Sequence, residues 1–349
     1  MIIECESIEE ARKIIGMIKE FFKDKIFNFI INTNYDKIYI IINGQIDLLD
    51  DKFLNTIHAK KVFSSLENDL FFVNNKKFIN PIRIGKRAYE NNDGLVTVIA
   101  GPCEVESYQS LYDTAKELSK IGVSIFRAMP EKPRTSPYNF QGVGNIGWEY
   151  LARIKKEFNL PILAEVFCQE DIDLAKKYDI DIIQIGARNM QNYNLIKKAA
   201  ASGITTVLKK GMWCNNEQLL KCAEYFFVYG KGNVILSERG IQTHEKITRN
   251  TFDISSIKLL KSKSILPVMA DASHGTGVRE LVIPVNAAAV LMGADVLEVE
   301  VHINPDETIK PGDYYQMLNI NQYKELLNEL ETVMKLNGKN FDFKKGVSC

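Results

Sequence analysis

The chain has 349 residues, 46% of them hydrophobic, which is enough for one large catalytic domain with a sizeable core and one small domain. Lys plus Arg and Asp plus Glu number 44 each, so the formal net charge is zero and no nucleic acid or membrane surface is expected as partner. The closest approach to a membrane-spanning run, residues 282–301, is interrupted by Asn286, Asp295 and Glu298.

The start of the chain lacks the basic, then apolar, then small-residue pattern of a secretion signal. The cysteines show no CxxC pair and no regular spacing, so in a chain of this length they are expected to be reduced thiols. They are Cys5, Cys103, Cys168, Cys214, Cys222 and Cys349. These features together predict a cytoplasmic protein.

Residues 1–73 follow the order β-α-β-β-α-β, the split βαβ pattern of a small ferredoxin-like domain. The predicted elements are strands at 1–5, 26–31, 37–42 and 62–66, a helix from Ser7 and a short helix after Asp50. Glu10 lies three residues after Ser7 and completes a capping box. No chemical motif occurs in this unit, so a packing or oligomerising module is one interpretation of it.

After a polar stretch at 74–94, which contains Pro81 and is expected to be a linker, the pattern changes. Over residues 95–349 short β-rich runs alternate with helical segments, which predicts a (β/α)8 TIM barrel, an α/β fold. No GxGxxG follows a strand, and this weakens the doubly wound alternative. The runs lie at 96–100, 124–128, 161–167, 181–185, 205–208, 233–236, 266–270 and 296–301.

Cationic residues follow four of the predicted strands, although the chain as a whole has no net charge. In such a barrel the residues past the carboxyl end of each strand form the active face. Guanidinium and ammonium groups gathered there fit a small ligand with several negative charges, whereas for any one of them a rim salt bridge is the alternative. The cations are Arg127, Lys132, Arg134, Arg188, Lys209 and Arg239.

Potential metal ligands also follow separate strands, namely Cys103, His274, Glu300 and Asp313. A sulfur, an imidazole and two carboxylates suit a borderline divalent cation such as Mn, Fe, Co or Zn. A lone buried cysteine usually behaves as a small hydrophobe, so the prediction depends on these residues sharing one face with the cations.

The residues around these strand ends form seven motifs. They are GPC at 101–103, KPRTSP at 132–137, QIGARNMQN at 184–192, LKKGM at 208–212, ERGI at 238–241, SHGTG at 273–277 and EVH at 300–302. With these motifs, in order from about residue 85 to the low 300s, the sequence resembles the 3-deoxy-7-phosphoheptulonate synthase family of the shikimate pathway. The N-terminal unit resembles the extension of the subfamily that aromatic amino acids inhibit.

The resemblance implies a metal-dependent condensation of phosphoenolpyruvate with erythrose 4-phosphate that releases phosphate. By resemblance, phosphoenolpyruvate would be held by Arg127, Lys132, Arg188, Lys209 and Arg239. Arg134 and Thr135 would meet the aldose phosphate. The metal would be bound by Cys103, His274, Glu300 and Asp313. Lys132 would act at the reacting centre beside Cys103 and His274, either as a general acid or as an electrostatic clamp.

The sequence departs from the family pattern at three places. Residues 128–130, Ala-Met-Pro, replace a glycine-rich stretch, and Ala272 stands where the family often has proline. After the EVH motif the candidate aspartate, Asp313, comes later than is usual in the family. Either a longer loop still brings Asp313 to the metal, which is the preferred interpretation, or Asp306 or Glu307 takes its place.

Three other functions stay open. A 3-deoxy-manno-octulosonate 8-phosphate synthase is the first, although residues 133–136, Pro-Arg-Thr-Ser, favour the four-carbon aldose. The second is a metal-independent Schiff-base aldolase using Lys209. The third is a non-catalytic regulatory homologue that binds phosphoenolpyruvate.

The resemblance also implies a homo-oligomer, a tetramer in the family. From the architecture alone, Tyr or Phe is expected to bind at the N-terminal unit, or between such units of neighbouring subunits, and to inhibit. A C-terminal helix at about 321–336 is expected either to close the barrel or to form an interface.

Overall fold

Two kinds of hydrophobic pattern along the chain produce two kinds of sheet. In the computed structural model a small antiparallel sheet comes first, and a closed parallel barrel follows it. The structure describes residues 1–59, 61–63, 70–78, 82–84, 87–89, 94–134, 136–309 and 314–343.

The N-terminal unit is a four-stranded antiparallel sheet with two helices. Its elements are β1 Ile2–Cys5, α1 Ile8–Phe21, β2 Phe27–Asn32, β3 Ile38–Gly44, α2 Asp51–Thr56 and β4 Lys61–Phe63. The strands pair in the order β2-β3-β1-β4, which confirms the ferredoxin-like prediction. Ser7 begins α1 as predicted, since its Oγ accepts the N–H of Glu10 at 3.1 Å. Of the predicted fourth strand, residues 64–66 lie outside the described residues.

Both faces of the N-terminal sheet are covered. Ile40 and Ile42 on β3 pack with residues of α1 and α2 in a core of their own. The alternate residues Tyr39 and Ile41 point to the opposite face and belong to the core of the barrel. The sheet is therefore a layer between its own helices and the barrel.

The barrel helices and strands begin after residue 94. The strands are β7 Leu95–Gly101, β8 Ile125–Arg127, β9 Ile162–Glu165, β10 Ile182–Ile185, β11 Thr205–Lys209, β12 Val234–Glu238, β13 Val268–Asp271 and β14 Val296–Glu300. The helices are α3 Tyr108–Ile121, α4 Ile146–Phe158, α5 Gln169–Lys177, α6 Tyr193–Ser202, α7 Asn216–Tyr229, α8 Ile254–Lys263, α9 Ala272–Thr276, α10 Arg279–Leu291 and α11 Ile320–Leu336. The short strands β5 Ile82–Ile84 and β6 Arg87–Tyr89 pair with each other before the barrel begins. The last strand along the chain is β15 Asn340–Phe341.

The eight strands β7 to β14 pair in parallel in sequence order, and β14 pairs back onto β7, with Glu300 opposite Gly101. This closure confirms the predicted barrel. The residue types at two helix boundaries explain where these helices begin and end. Ser107 caps α3 and Gly122 ends it, and Asn215 caps α7.

The stretch at 74–94, predicted as a linker, carries the β5–β6 ladder in its described part. Phe78 and Ile82 are buried in the barrel core, so this stretch packs against the barrel. The domain limits 1–73, 74–94 and 95–349 stay a prediction.

The C-terminal helix α11 closes the barrel. Tyr323, Leu326, Leu327 and Leu330 are buried in the barrel core, and the Tyr323 hydroxyl donates to the carbonyl of Gly122 at 2.9 Å. Of the two roles expected for this helix, its packing supports closure. Among the described residues no helix is both long and apolar enough to cross a membrane.

The N-terminal unit docks on the end of α7. Asn32 Nδ2 donates to the carbonyl of Phe227 at 2.7 Å, which satisfies one of the carbonyls that a helix end leaves without a partner. Glu224 on the same helix accepts the backbone N–H groups of Phe72 at 2.8 Å and Val73 at 2.9 Å. The Glu224 side chain on α7 therefore holds the segment that follows the N-terminal sheet.

Replacing Glu224 with alanine should lower the free energy of unfolding by about 1–3 kcal/mol, because two N–H groups lose their acceptor. Chemical denaturation followed by circular dichroism measures this. The matched control is Glu217→Ala, which removes an exposed i,i+4 pair with Lys221 and should cost less than about 0.5 kcal/mol. Equal losses in both variants would contradict the docking role of Glu224.

Candidate active site

A cavity lies at the carboxyl ends of the barrel strands, where the sequence motifs converge. Five of the six predicted cations line it: Arg127, Lys132, Arg188, Lys209 and Arg239. His274 also lines it, so the cations and a candidate metal ligand share one space. The parallel strands bring these residues together although they lie far apart in sequence.

Buried carboxylates hold the two deepest cations. Arg127 pairs with Glu298 through Nη1, and its Nη2 lies 3.5 Å from Oε1 of Glu300. Lys209 Nζ lies 2.7 Å from Oδ2 of Asp271 and 2.9 Å from Oε2 of Glu298. All five side chains are buried. Because a buried charge without a partner is costly, these carboxylates fix where the two cations stand.

Three of the four predicted metal ligands come together. The ligand atoms of Cys103, His274 and Glu300 lie within 4.8 Å of one another, and the three residues are buried. Oε1 of Glu300 has no hydrogen-bond partner among the described residues and lies 3.1 Å from Nε2 of His274. A thiol, an imidazole nitrogen and a carboxylate oxygen with spare capacity are a donor set that fits a borderline divalent cation.

Neighbouring side chains orient the ligand group. Asp271 lies 2.9 Å from Nδ1 of His274, an arrangement that directs Nε2 toward Glu300. Gln316 donates from Nε2 to Oε2 of Glu300 at 2.7 Å. Such outer contacts fix the tautomer and direction of metal ligands.

The pKa of the Glu300 carboxyl is held well below its ordinary value. Burial alone would raise this pKa, but His274, Lys132 and Arg127 lower it by more. The pKa of Asp271 is likewise lowered, since His274 and Lys209 outweigh the effect of burial. Both carboxylates are therefore charged and able to bind cations.

Lys132 joins the two parts of the site. Its Nζ contacts Sγ of Cys103 and its side chain lines the cavity, while its backbone N–H donates to the carbonyl of Gln141 at 2.9 Å. The ammonium therefore lies between the candidate metal group and the other cations that line the cavity. Arg188 crosses the same loop and donates to the carbonyl of Pro133 at 3.1 Å.

Arg134 is buried beside the site but is not among the described residues that line the cavity. It pairs with Glu104 and donates from Nε to the carbonyl of Phe140 at 3.0 Å. Thr135, its predicted companion at the aldose phosphate, lies outside the described residues. The structure thus separates Arg134 from the five cations that line the cavity.

The fourth predicted metal ligand, Asp313, lies outside the described residues. The two substitutes considered for it are described. Asp306 is exposed and pairs with Arg279 at 2.8 Å, and Glu307 accepts from the side chain of Asn304 at 3.2 Å. Neither belongs to the metal-ligand groups found in the described part of the chain.

The departure at residues 128–130 is accommodated by burial. The Met129 carbonyl accepts the N–H of Val105 at 2.9 Å, and its sulfur lies 3.1 Å from the backbone nitrogen of Glu165. The Pro130 carbonyl accepts the N–H of Val143 at 3.0 Å. The stretch is thus held by the segments that follow β7 and β8 and by the end of β9.

Several functional candidates were not selected from the sequence. Asp271 and Glu298 lie on strands β13 and β14 and are buried. A charged residue within an apolar run was the sequence signal that could have identified them. Glu165 lines the cavity, and its carboxylate lies where a side chain at Gly186 would stand, since a Cβ there would be 2.0 Å from Oε1. The glycine of the QIGAR motif therefore makes room for this carboxylate. Arg249 lines the cavity as well.

Comparison with known proteins agrees with this geometry. A profile of the DAHP synthetase I family matches residues 75–336. A phospho-2-dehydro-3-deoxyheptonate aldolase of Thermotoga maritima is 43% identical over 239 residues, which cover 68% of this chain and 70% of that protein. A 2-dehydro-3-deoxyphosphooctonate aldolase of Desulfosudis oleivorans is 30% identical over 256 residues, 68% of this chain and 90% of that protein.

Solved structures of the same enzyme family resemble this chain as well, and one of them covers both the N-terminal unit and the barrel. The crystal structure of the Thermotoga maritima phospho-2-dehydro-3-deoxyheptonate aldolase (DAHP synthase) covers 98% of each chain at 32% identity, with a TM-score of 0.71. A truncated form of the synthase from the same organism covers 72% of this chain and 90% of its own, with 38% identity and a TM-score of 0.66. The chain therefore belongs to the DAHP synthetase I family, as its motifs indicated, and is an aldol-condensing synthase.

Proposed function

We propose that this chain condenses phosphoenolpyruvate with erythrose 4-phosphate and releases phosphate, the first step of the shikimate pathway. The observation that supports this best is the cavity in which five cations line the space beside Cys103, His274 and Glu300. Phosphoenolpyruvate carries a phosphate and a carboxylate, so its binding requires several fixed cations.

The anionic substrate would be held by two kinds of cation. Arg127 and Lys209 are fixed by buried carboxylates and would form the floor of the binding site. Lys132, Arg188 and Arg239 would complete it from the loops. Cations that are already positioned cost little reorganisation when the ligand arrives.

The metal would be held by Cys103, His274 and Glu300, with Asp313 proposed as the fourth ligand and Mn, Fe, Co or Zn as the ion. When bound, a divalent cation supplies Lewis-acid polarisation of the aldehyde oxygen of erythrose 4-phosphate. Arg134 and Thr135 are proposed to meet the phosphate of that substrate.

The remaining steps use side chains of the chain itself. C3 of the enol ester attacks the aldehyde carbon, which leaves negative charge on the former aldehyde oxygen. Lys132, beside Cys103, is placed to donate a proton to that oxygen or to neutralise it. Water then adds at C2 and gives a hemiketal phosphate. This collapses to the C2 ketone as the C2–O bond to phosphate breaks, and the hydroxyl proton leaves with the phosphate. Glu165 is proposed to accept the proton of that water, because its carboxylate lines the same cavity.

The contacts of Lys209 disfavour the Schiff-base alternative. Its ammonium is engaged by Asp271 and Glu298 at 2.7 and 2.9 Å, and an ammonium in two ion pairs offers no lone pair for attack on a carbonyl. We therefore assign Lys209 to substrate binding.

The decisive experiment measures phosphate release from phosphoenolpyruvate with erythrose 4-phosphate and, separately, with arabinose 5-phosphate. Turnover is expected with the four-carbon sugar alone, is expected to stop on chelation, and should return with Mn²⁺. Turnover with arabinose 5-phosphate alone would instead indicate the octulosonate synthase. Phosphoenolpyruvate binding without any turnover would indicate a regulatory homologue, and full activity in chelator with borohydride trapping would indicate the Schiff-base aldolase.

Replacing Asp271 with asparagine should weaken Mn²⁺ binding by about 10- to 100-fold, because His274 loses the carboxylate that orients it. Equilibrium dialysis of the purified variant against Mn²⁺ measures this. The matched control is Asp295→Asn, another buried carboxylate, which pairs with Lys261 at 2.8 Å and accepts the N–H of Val268 at 2.9 Å. Equal metal binding by both variants would rule out an orienting role for Asp271.

We further propose that Tyr or Phe binds at the N-terminal unit, or between such units of a tetramer, and inhibits the cytoplasmic enzyme. The docking of this unit on α7 supports a link between the two parts. Adding each amino acid to the assay of the full chain should lower the rate, whereas leucine, the control, should leave it unchanged. Unchanged rates with both Tyr and Phe would contradict this regulation.

A further inference from the structure

A further arginine, Arg249, reaches the cavity from the loop between β12 and α8. Its side chain lines the same space as Arg188 and Arg239, although it follows no strand end directly. Burial lowers the pKa of the Arg239 guanidinium, Asp271 raises it, and the positive charges of Arg249 and Arg188 lower it again. Arg249 and Arg188 therefore each lie near enough to Arg239 to repel its guanidinium.

Hydrogen bonds hold the segment that carries Arg249 against the metal-binding motif. The backbone N–H of Arg249 donates to the carbonyl of Thr276 at 2.8 Å. Asn250 donates from Nδ2 to the carbonyl of His274 at 3.0 Å. The backbone of Arg249 is thus fixed by its own N–H and by the neighbouring Asn250, and the segment is tied to the strand end that supplies a candidate metal ligand.

Glycines of the SHGTG motif leave the space that this segment occupies. A Cβ at Gly277, whose φ is +67°, would lie 2.6 Å from Cβ of Arg249. A Cβ at Gly275 would lie 2.4 Å from the ring of Phe252. Any side chain at these two positions would push the segment away, so the motif accommodates Arg249 as well as supplying His274.

The buried end of this space offers a donor to an anion. Arg239 is buried, and its Nη1 has no hydrogen-bond partner among the described residues. Arg188 and Arg249 line the same cavity, so an anion bound at Arg239 would lie near all three guanidinium groups. A phosphate group presents three non-bridging oxygens and can accept from three forks at once, whereas a carboxylate has only two oxygens.

We propose that Arg249 is a further substrate-binding residue, which together with Arg188 and Arg239 holds the phosphate group of phosphoenolpyruvate and retains inorganic phosphate after it leaves. This inference rests on the proposed function for the identity of the ester. Binding of inorganic phosphate itself does not depend on which ester or sugar the enzyme uses. The two statements can therefore be tested apart.

The test is calorimetric titration of the Mn²⁺-loaded full chain with inorganic phosphate, alongside Arg249→Gln and Arg249→Lys. Arg249→Gln should weaken phosphate binding by roughly 10- to 100-fold, the range for losing charge-assisted hydrogen bonds, and Arg249→Lys should fall between it and the wild type. KM for phosphoenolpyruvate should rise and KM for erythrose 4-phosphate should not. Arg153→Gln, which removes an exposed arginine stacked on Tyr108, is the control and should bind phosphate like the wild type.

Wild-type phosphate affinity in Arg249→Gln would overturn the inference, and so would a wild-type chain that binds no phosphate. If Arg249→Gln fails to fold by circular dichroism, Arg249→Lys carries the test, and unchanged affinity there overturns the inference. A wild-type chain that binds phosphate through Arg249 but turns over neither sugar would contradict the proposed function and leave this inference standing.

Discussion

The site depends on a closed ring of buried cations, carboxylates and one imidazole in mutual contact at the carboxyl end of the barrel. Its members, in order, are Arg127, Glu298, Lys209, Asp271, His274 and Glu300, and Glu300 returns to Arg127. A barrel interior has little water to solvate charge, so each cation needs a carboxylate and each carboxylate a cation. The ring satisfies this requirement, and three of its members, Arg127, Lys209 and His274, also line the cavity.

The ring also makes one unit of the two halves of the site. Lys209 and Arg127 belong to the half that lines the cavity with cations, while His274 and Glu300 belong to the candidate metal group. Asp271 contacts Lys209 and His274 together, so a change at this carboxylate acts on both halves. Closely linked buried charges do not contribute independently, and single substitutions in such a network carry coupled effects.

The features that could be predicted from the sequence are those that lie at or beside the ends of strands. All eight barrel strands, the cap at Ser7 and the five lining cations were found, because hydrophobic runs end where the polar motifs begin. The partners of those cations were harder to predict, since Glu298 sits inside an apolar strand and a sequence does not say which face it takes. Arg249 was missed because it reaches the cavity through a loop held by Thr276, and that contact exists only in three dimensions. The pairing of Arg134 with Glu104 likewise follows from loop geometry.

Contacts also connect the N-terminal unit with the cavity at the carboxyl ends of the barrel strands. The helix α7, on which that unit docks, begins at Asn216, whose Oδ1 accepts from Nζ of Lys210 at 3.2 Å. Lys210 forms a buried pair with Glu238, and Glu238 accepts the N–H of Gly240 at 2.8 Å. Arg239 lies between these last two residues and lines the cavity. Because these groups are buried and paired, a shift of α7 would either move Lys210 as well or break its hydrogen bond to Asn216. The docking surface and the cations that line the cavity are thus joined through the helix α7 and the Lys210–Glu238 ion pair.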